Sequence, residues 1–292
     1  MLITIGAGDR IVGMTDATMK EEYLSRALPR IRSIGVSGTP DIETIVELRP
    51  DVLIAFSSSS KPKNMDRILA QNITVIYVDC YKMQDLAKDA RVLGVMTGKE
   101  EDAEQYAQFA DHYVSLVKSR VQNLSDAQRP RIYCEANSDY YAWAGNSTGD
   151  DIIQLLNGKN IAENLSLSGK MSPEWLLDQD PDVIIKLSGR GQNVTDSWKS
   201  VVSRAGSQKI RAVREHRVYA LYHDTATSPR AVAGLLYLAK QLYPDRFADV
   251  DPDAVLHEYA REFLPGSDKI DTFYPPLPDP AIQPAEKTAD VL

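Results

Sequence analysis

Residues 41–55 read DIETIVELRPDVLIA, and residues 172–186 read SPEWLLDQDPDVIIK. Aligned without a gap, Glu43 falls on Glu174, Pro50 on Pro181 and Asp51 on Asp182, and the run Val52, Leu53, Ile54 falls on Val183, Ile184, Ile185. In each copy a polar residue followed by glutamate opens an apolar pattern of helical spacing (Ile42, Ile45, Val46; then Trp175, Leu176, Leu177), the signal of a helix N-terminus. A helix stops short of proline, because the ring disfavours the helical conformation of the residue before it. The unbroken β-branched and leucine run after each Pro-Asp marks a strand covered on both faces in a parallel sheet. The chain therefore writes the same unit twice: helix, tight turn, buried strand.

Similar segments flank both copies. GDRIVGM and NITVIYVDC read as strands around the first, RPRIYCEA and HRVYALYH as strands around the second, with amphipathic stretches such as DRILAQ and DDIIQLLNG between them. Alternation of this kind predicts parallel α/β layers with right-handed crossovers. Between the two sets, residues 100–128 contain neither proline nor glycine and repeat apolar positions at Tyr106, Phe109, Tyr113, Leu116, Val117 and Val121. The spacing predicts one long helix of about 25 residues at ~1.5 Å per residue, joining two α/β lobes. The expected organisation is an N-terminal lobe over residues 1–99, a linking helix over 100–128, a C-terminal lobe over 129–268 and a proline-rich extended tail over 269–292.

Composition narrows the partners. A net charge of -8 and a pI near 5.1 disfavour nucleic acid, whose binding relies on neutralising phosphates with Lys and Arg. Two cysteines, Cys80 and Cys134, cannot build a disulfide framework and read as small buried hydrophobes. No run of ~18 apolar residues spans a membrane, and MLITIGAGDRIVG lacks the basic start and long apolar core of a signal peptide. Either the chain is cytoplasmic or its targeting segment is absent from this sequence. Of nine asparagines, five (Asn72, Asn123, Asn146, Asn164, Asn193) open N-x-S/T, where the Ser and Thr frequency predicts about one by chance. That excess leans toward export.

Enzyme motifs are weak. GAGDRI matches only the first half of G-x-G-x-x-G, and no G-x-S-x-G elbow, P-loop, H-E-x-x-H or paired C-x-x-C occurs. His112, His216, His223 and His257 are too scattered for a zinc site by local spacing. Binding at the loops beyond the strand ends, where open α/β sheets hold ligands, is the stronger reading. Ser57, Ser58, Ser59 and Ser60 follow the first repeat strand as hydroxyl and backbone donors, and Tyr81 follows the strand ending at Cys80. Tyr140, Tyr141 and Trp143 crowd the stretch after Cys134, the composition of a flat or apolar ligand face. Arg190 follows VIIKLSG, and the segment YHDTATSPR carries His223, Asp224, Thr225 and Arg230. Arginine suits bidentate contact with ligand carboxylates, or else anchors its own helix.

The repeated E-x-x-(L/I)-x-x-x-x-P-D phrase, GAGDRIVGMTD, YYAWAGNSTGDDIIQLLNGKNIAE and the closing SPRAVAGLLYLAKQLYPDRFADVDPDAVLHEYAREF together resemble the periplasmic binding proteins of iron-complex, siderophore, heme and cobalamin ABC importers. The resemblance covers about residues 1–265. It implies two Rossmann-like α/β lobes joined by one long α-helix, with a ligand held in the cleft between the lobes. That family begins with a further strand and helix ahead of the position of GAGDRIVG, so the first lobe is expected to lack its first strand. In the family a glutamate on each lobe meets arginines of the membrane permease; by position these are Glu43 and Glu174, although a carboxylate there is also what any helix N-terminus favours. His223 stands where heme-binding relatives place an axial ligand, so it is the metal-ligand candidate only if the cargo is heme.

The resemblance implies a non-enzymatic protein, periplasmic or on the cell surface, that delivers a small metal chelate (iron–siderophore, heme or corrinoid) to an ABC importer permease, without a resident cofactor. Membrane association would come only through an absent N-terminal segment or the permease. Two alternatives stay open: a bare metal-ion binder or sensor of the same fold, and a metal-chelatase-type enzyme.

Overall fold

The structure is a computed structural model that describes residues 1–20, 22–56, 65–189 and 192–264. The Ser57–Ser60 run, Arg190 and the proline-rich tail lie outside the described residues. The chain divides into two compact units, one of Met1–His112 with the described residues from His257 onward, the other of Tyr113–Leu256.

The first unit opens with β1 (Gly13–Met14), α1 (Asp16–Met19) and α2 (Glu22–Ala27). β1 pairs in parallel with β2 (Arg32–Ser33), and β3 (Gly35–Val36) pairs antiparallel with β4 (Thr39–Pro40). Then come α3 (Ile42–Leu48), β5 (Val52–Ala55), α4 (Met65–Leu69), β6 (Thr74–Tyr77) and α5 (Leu86–Thr97), with β5 and β6 parallel and in register from Val52↔Thr74 to Ala55↔Tyr77. The strand expected over GDRIVGM shrinks to two residues. Gly8–Arg10 form a 3₁₀ turn instead, closed by Arg10 N–H to Ala7 O at 3.1 Å and Ile11 N–H to Gly8 O at 3.2 Å, so local turn bonds take the groups a ladder would have used.

α6 (Glu100–Val121) begins in the first unit and ends in the second. It stops seven residues short of the expected 100–128 span. Asn157 donates Nδ2 to the last carbonyl of the helix, Val121 O, at 2.7 Å, and Ser125 starts a separate 3₁₀ turn through a capping box with Gln128.

The second unit contains β7 (Arg131–Glu135), β8 (Tyr141–Ala142), α7 (Thr148–Leu155), β9 (Lys159–Asn160), β10 (Gly169–Lys170), α8 (Pro173–Gln179), β11 (Val183–Ser188), α9 (Val194–Val202), α10 (Arg211–Arg214), β12 (Val218–Tyr222), α11 (Asp224–Thr227) and α12 (Ala231–Leu242). Its sheet runs β10-β8-β7-β11-β12, with β9 also on β7. β7, β11 and β12 are parallel; β8 and β10 are antiparallel additions. α13 (Pro252–Phe263) then carries the chain back into the first unit, where Tyr259 and Phe263 meet Tyr106 and Phe109 of α6 in an aromatic cluster with ring centroids 5.2–6.4 Å apart. This is an α/β fold. No described helix is long and apolar enough to cross a membrane.

Both copies of the repeated phrase fold alike. Asp41 caps α3 by accepting from the N–H groups of Glu43 and Thr44, and Ser172 caps α8 by accepting from Trp175 N–H. Each helix leaves through a left-handed residue, Arg49 (φ 48°) or Asp180 (φ 40°), directly before the proline. Ile45 and Leu53 sit in the core of the first unit, and the matching Leu176 and Ile184 sit in the core of the second.

Candidate functional site

In the second unit the parallel strands β7, β11 and β12 end on one edge of the sheet, and the chain beyond them carries most of the candidate residues. Glu135 closes β7 and lies opposite Lys186 of β11 in the parallel register. Both side chains are almost fully buried, and Lys186 Nζ reaches Glu135 Oε1 at 2.7 Å. Arg204, just beyond α9, closes on the same carboxylate through two bonds, Nη1 to Oε2 at 2.8 Å and Nη2 to Oε1 at 2.6 Å. Asp139 completes the group at 2.9 Å from Arg204 Nη2 and 3.4 Å from Lys186 Nζ, with half its side chain in solvent. Burial by itself would lower the Arg204 pKa, but the bonds and charge of Glu135 outweigh it and hold the guanidinium above its ordinary value. Burial likewise opposes ionisation of Asp139, and the Arg204 and Lys186 charges reverse that, leaving its pKa depressed. Two cations and two carboxylates thus form a paired, fixed network. Ser188 Oγ, two residues after Lys186 in β11, and Arg204 Nε are buried and find no hydrogen-bond partner among the described residues.

Arg204 of that network also meets the first residue of the aromatic stretch. Tyr140 adopts φ 61°, a left-handed conformation that costs a bulky residue energy and persists only where surroundings impose it. The Arg204 guanidinium sits 4.3 Å from the Tyr140 ring centroid, a cation–π contact, and Tyr140 O accepts from Met171 N–H at 2.8 Å. Tyr141 is in β8 rather than in a free loop, its hydroxyl 3.3 Å from Ser168 O. Trp143 packs over Gly149 so closely that a Cβ there would stand 2.5 Å from the indole and 2.9 Å from Cys134 Sγ. All three aromatics are half-buried. The structure therefore brings them to one strand edge and ties each to a protein partner.

Beyond β12, His223 precedes α11 at its N-cap position. Its Nδ1 shares a hydrogen bond with Thr227 Oγ1 at 2.7 Å and lies 3.8 Å from Asp224 Oδ1. Thr225 is buried, its hydroxyl donating to Tyr222 O at 2.9 Å. Arg230, at the entry to α12, is 1% exposed and donates Nη2 to Asp224 Oδ2 at 3.1 Å, the anchoring geometry. Gly234 permits this: a Cβ there would fall 1.8 Å from Thr225 O, so only glycine lets α12 lie against α11.

In the first unit, Tyr81 stacks edge-on against Phe56 with centroids 5.2 Å apart, next to the Lys82–Asp79 pair at 3.1 Å. Glu43 and Glu174 are both exposed, at the second position of their helices. Cys134 is fully buried and Cys80 partly so; neither is in a disulfide, and burial pushes both thiol pKa values up, that of Cys80 to about 12. Among the described residues no three His, Cys, Asp or Glu side chains gather to hold a metal ion.

The Glu135–Lys186–Arg204–Asp139 group escaped the sequence reading. One signal was present: the strand RIYCE ends on a carboxylate and the run VIIK, read as buried, ends on a lysine, opposite charges at the ends of two strands of the same half. Arg204, well downstream, left no such trace.

Strands β7, β11 and β12 run parallel and end together at one edge, the place where open α/β sheets hold ligands. The periplasmic binding protein family model matches residues 1–225, and the chain belongs to that family of ABC-transporter substrate-binding proteins. It is 24% identical over 252 residues to the uncharacterized ABC transporter substrate-binding lipoprotein YvrC of Bacillus subtilis, covering 84% of this chain and 77% of the relative. The molybdate-binding protein MolA of Haemophilus influenzae is 24% identical over 92% of this chain and 84% of its own; its molybdate-bound structure superposes with a TM-score of 0.76 at 21% identity, covering 94% of this chain and 90% of that one. The TroA-like periplasmic binding protein FepB of Veillonella parvula superposes with a TM-score of 0.74 at 24% identity, covering 90% and 86%.

Proposed function

We propose that the protein is an extracytoplasmic, non-enzymatic receptor that binds a small metal chelate at the strand edge of its second unit and delivers it to an ABC importer permease. The observation that carries this reading is the run Tyr140, Tyr141 and Trp143 at β8, with Tyr140 held against Arg204 of the charge network, together with His223 and Asp224 directly after β12 of the same sheet. Half-buried aromatics supply contact area for a flat or apolar chelate, and the orphan Ser188 Oγ and Arg204 Nε supply donor capacity at the same edge. Tyr81 and the serines 57–60 are the candidate contacts that the sequence offers in the first unit, and Arg190, which follows β11 in the sequence, is one more in the second. With His223 Nδ1 engaged by Thr227, its Nε2 is the nitrogen that would meet a heme iron. Glu43 and Glu174, at equivalent helix starts, are the permease contacts, facing arginine.

The test is a ligand panel. Purified protein is titrated with ferric siderophores, heme, cobalamin, molybdate and free divalent metals, and read by absorption spectroscopy, calorimetry and native mass spectrometry. A stoichiometric complex with one chelate, weakened by more than ~2 kcal/mol in the Tyr140→Ala/Tyr141→Ala/Trp143→Ala variant, supports the reading. Tight binding of molybdate or a free metal with none of the chelates overturns it.

A further inference from the structure

Five of the nine asparagines open N-x-S/T with no proline between, about five times the number chance predicts. The structure adds that all five are exposed, whereas Asn160, outside any such tripeptide, is buried and Asn157 partly buried. The five then separate by what surrounds them. Asn72 stands at φ 59° in the turn between α4 and β6, Asn123 in the turn beyond α6, and Asn164 in the loop between β9 and β10; their hydroxyl partners Thr74, Ser125 and Ser166 are exposed as well. Ser125 also bonds Gln128 in its capping box but stays exposed, whereas in the other two the hydroxyl is buried or the asparagine side chain itself caps a helix. Thr148 is buried in the first turn of α7, and Asn193 Oδ1 caps α9 by accepting from Thr195 and Asp196 N–H.

We propose that Asn72, Asn123 and Asn164 are sites of N-linked glycosylation. The carboxamide nitrogen Nδ2 attacks the anomeric carbon of a saccharide carried on a lipid phosphate or pyrophosphate. The C–N bond forms as the anomeric C–O bond breaks, the electron pair leaves with the lipid phosphate, and one amide proton passes to a base of the transferase, with no change of oxidation state. Both the acceptor amide and the hydroxyl two residues on must be reached together, and these three turns offer both on the surface of the folded chain. The assignment rests on the extracytoplasmic location proposed above. Ligand titration of the unmodified chain tests the binding reading separately.

The experiment isolates the protein from its native host and maps its peptides by mass spectrometry with electron-transfer fragmentation. One shared saccharide increment is expected on the peptides holding Asn72, Asn123 and Asn164. Asn72→Gln, Asn123→Gln and Asn164→Gln should each lower the intact mass by that increment, and Thr74→Ala, Ser125→Ala and Ser166→Ala should do the same with the asparagine retained. Recovery of all five peptides unmodified overturns the proposal, as does an increment confined to Asn146 and Asn193.

Discussion

The α3–β5 and α8–β11 segments share a side-chain cap, a glutamate at the second helical position, a left-handed exit and a Pro-Asp entry into the strand, yet their strands live in different surroundings. All six residues of β11 are buried, with β7 on one edge and β12 on the other. β5 alternates, with Leu53 and Ala55 buried and Ile54 37% exposed, and among the described residues it pairs with β6 alone. The aspartates after the prolines diverge too: Asp182 accepts Arg131 N–H at 2.8 Å and Arg211 Nη1 at 2.6 Å, whereas Asp51 is exposed. A short sequence phrase thus dictates helix, exit and strand, while burial is set by neighbours from elsewhere in the chain.

Two buried carboxylates, one in each unit, are held differently. Glu135 is held by Lys186 and Arg204, whereas Asp89 of α5 is 4% exposed, leaves Oδ2 without a hydrogen-bond partner among the described residues, and faces Asp85 and Asp79. Burial, then the Asp85 charge, raises the Asp89 pKa to about 6.

The largest expected effect comes from Glu135→Leu, which strands two buried cations. It should lower unfolding free energy by about 3–5 kcal/mol, measured by urea denaturation, and Glu135→Leu with Lys186→Met should recover part of the loss. A loss below ~1 kcal/mol would place the network among surface pairs. The strand contrast comes next: Ile185→Ala should cost about 2–5 kcal/mol, and the matched Ile54→Ala under ~1 kcal/mol, because only the first opens a closed core. Equal costs would mean that β5 is covered in solution.

Asp89 gives the third test. Its folded pKa lies above the unfolded value, so the folded state binds the extra proton; stability from this group is fully present below about pH 4 and is lost as pH rises through about 6. Asp89→Asn should therefore stabilise the protein at pH 7.5 by roughly 2 kcal/mol and flatten the stability profile between those limits. A destabilised variant at pH 7.5 would show that the carboxylate is paired. Smallest in stability are Glu43→Lys and Glu174→Lys, at no more than ~1 kcal/mol each, the scale of a charge at a helix N-terminus. Ligand affinity should not move, while transport through the cognate permease should fall sharply and return in part when the facing permease arginine becomes glutamate. Normal transport by both variants would leave the glutamates as helix-terminus residues only.

What was legible in the sequence follows from which signals are local. The α3 and α8 starts, their proline-limited ends and the β11 run could be read because caps, Pro-Asp and β-branched runs act within a few residues. The two-residue strands β2 to β4 could not, and of the strand read over GDRIVGM only β1 forms, since the Gly8–Arg10 turn takes the backbone groups ahead of it. At the candidate site, His223, Asp224 and Arg230 are near neighbours already in the sequence, but Tyr141 is ladder-bonded and Arg204 arrives from a distant helix end. Long-range charge pairing leaves no periodicity to read.

The return of α13 to the first unit bears on the order in which the protein is made. Tyr106 and Phe109 lack Tyr259 and Phe263 until nearly the whole described chain has been synthesised, and Thr4 Oγ1 likewise waits for the Tyr259 hydroxyl, 3.0 Å away in the finished fold. Residues 113–256 suffer no such delay, since every strand of their sheet lies within that stretch. During synthesis from the N-terminus, the half translated first is the half completed last.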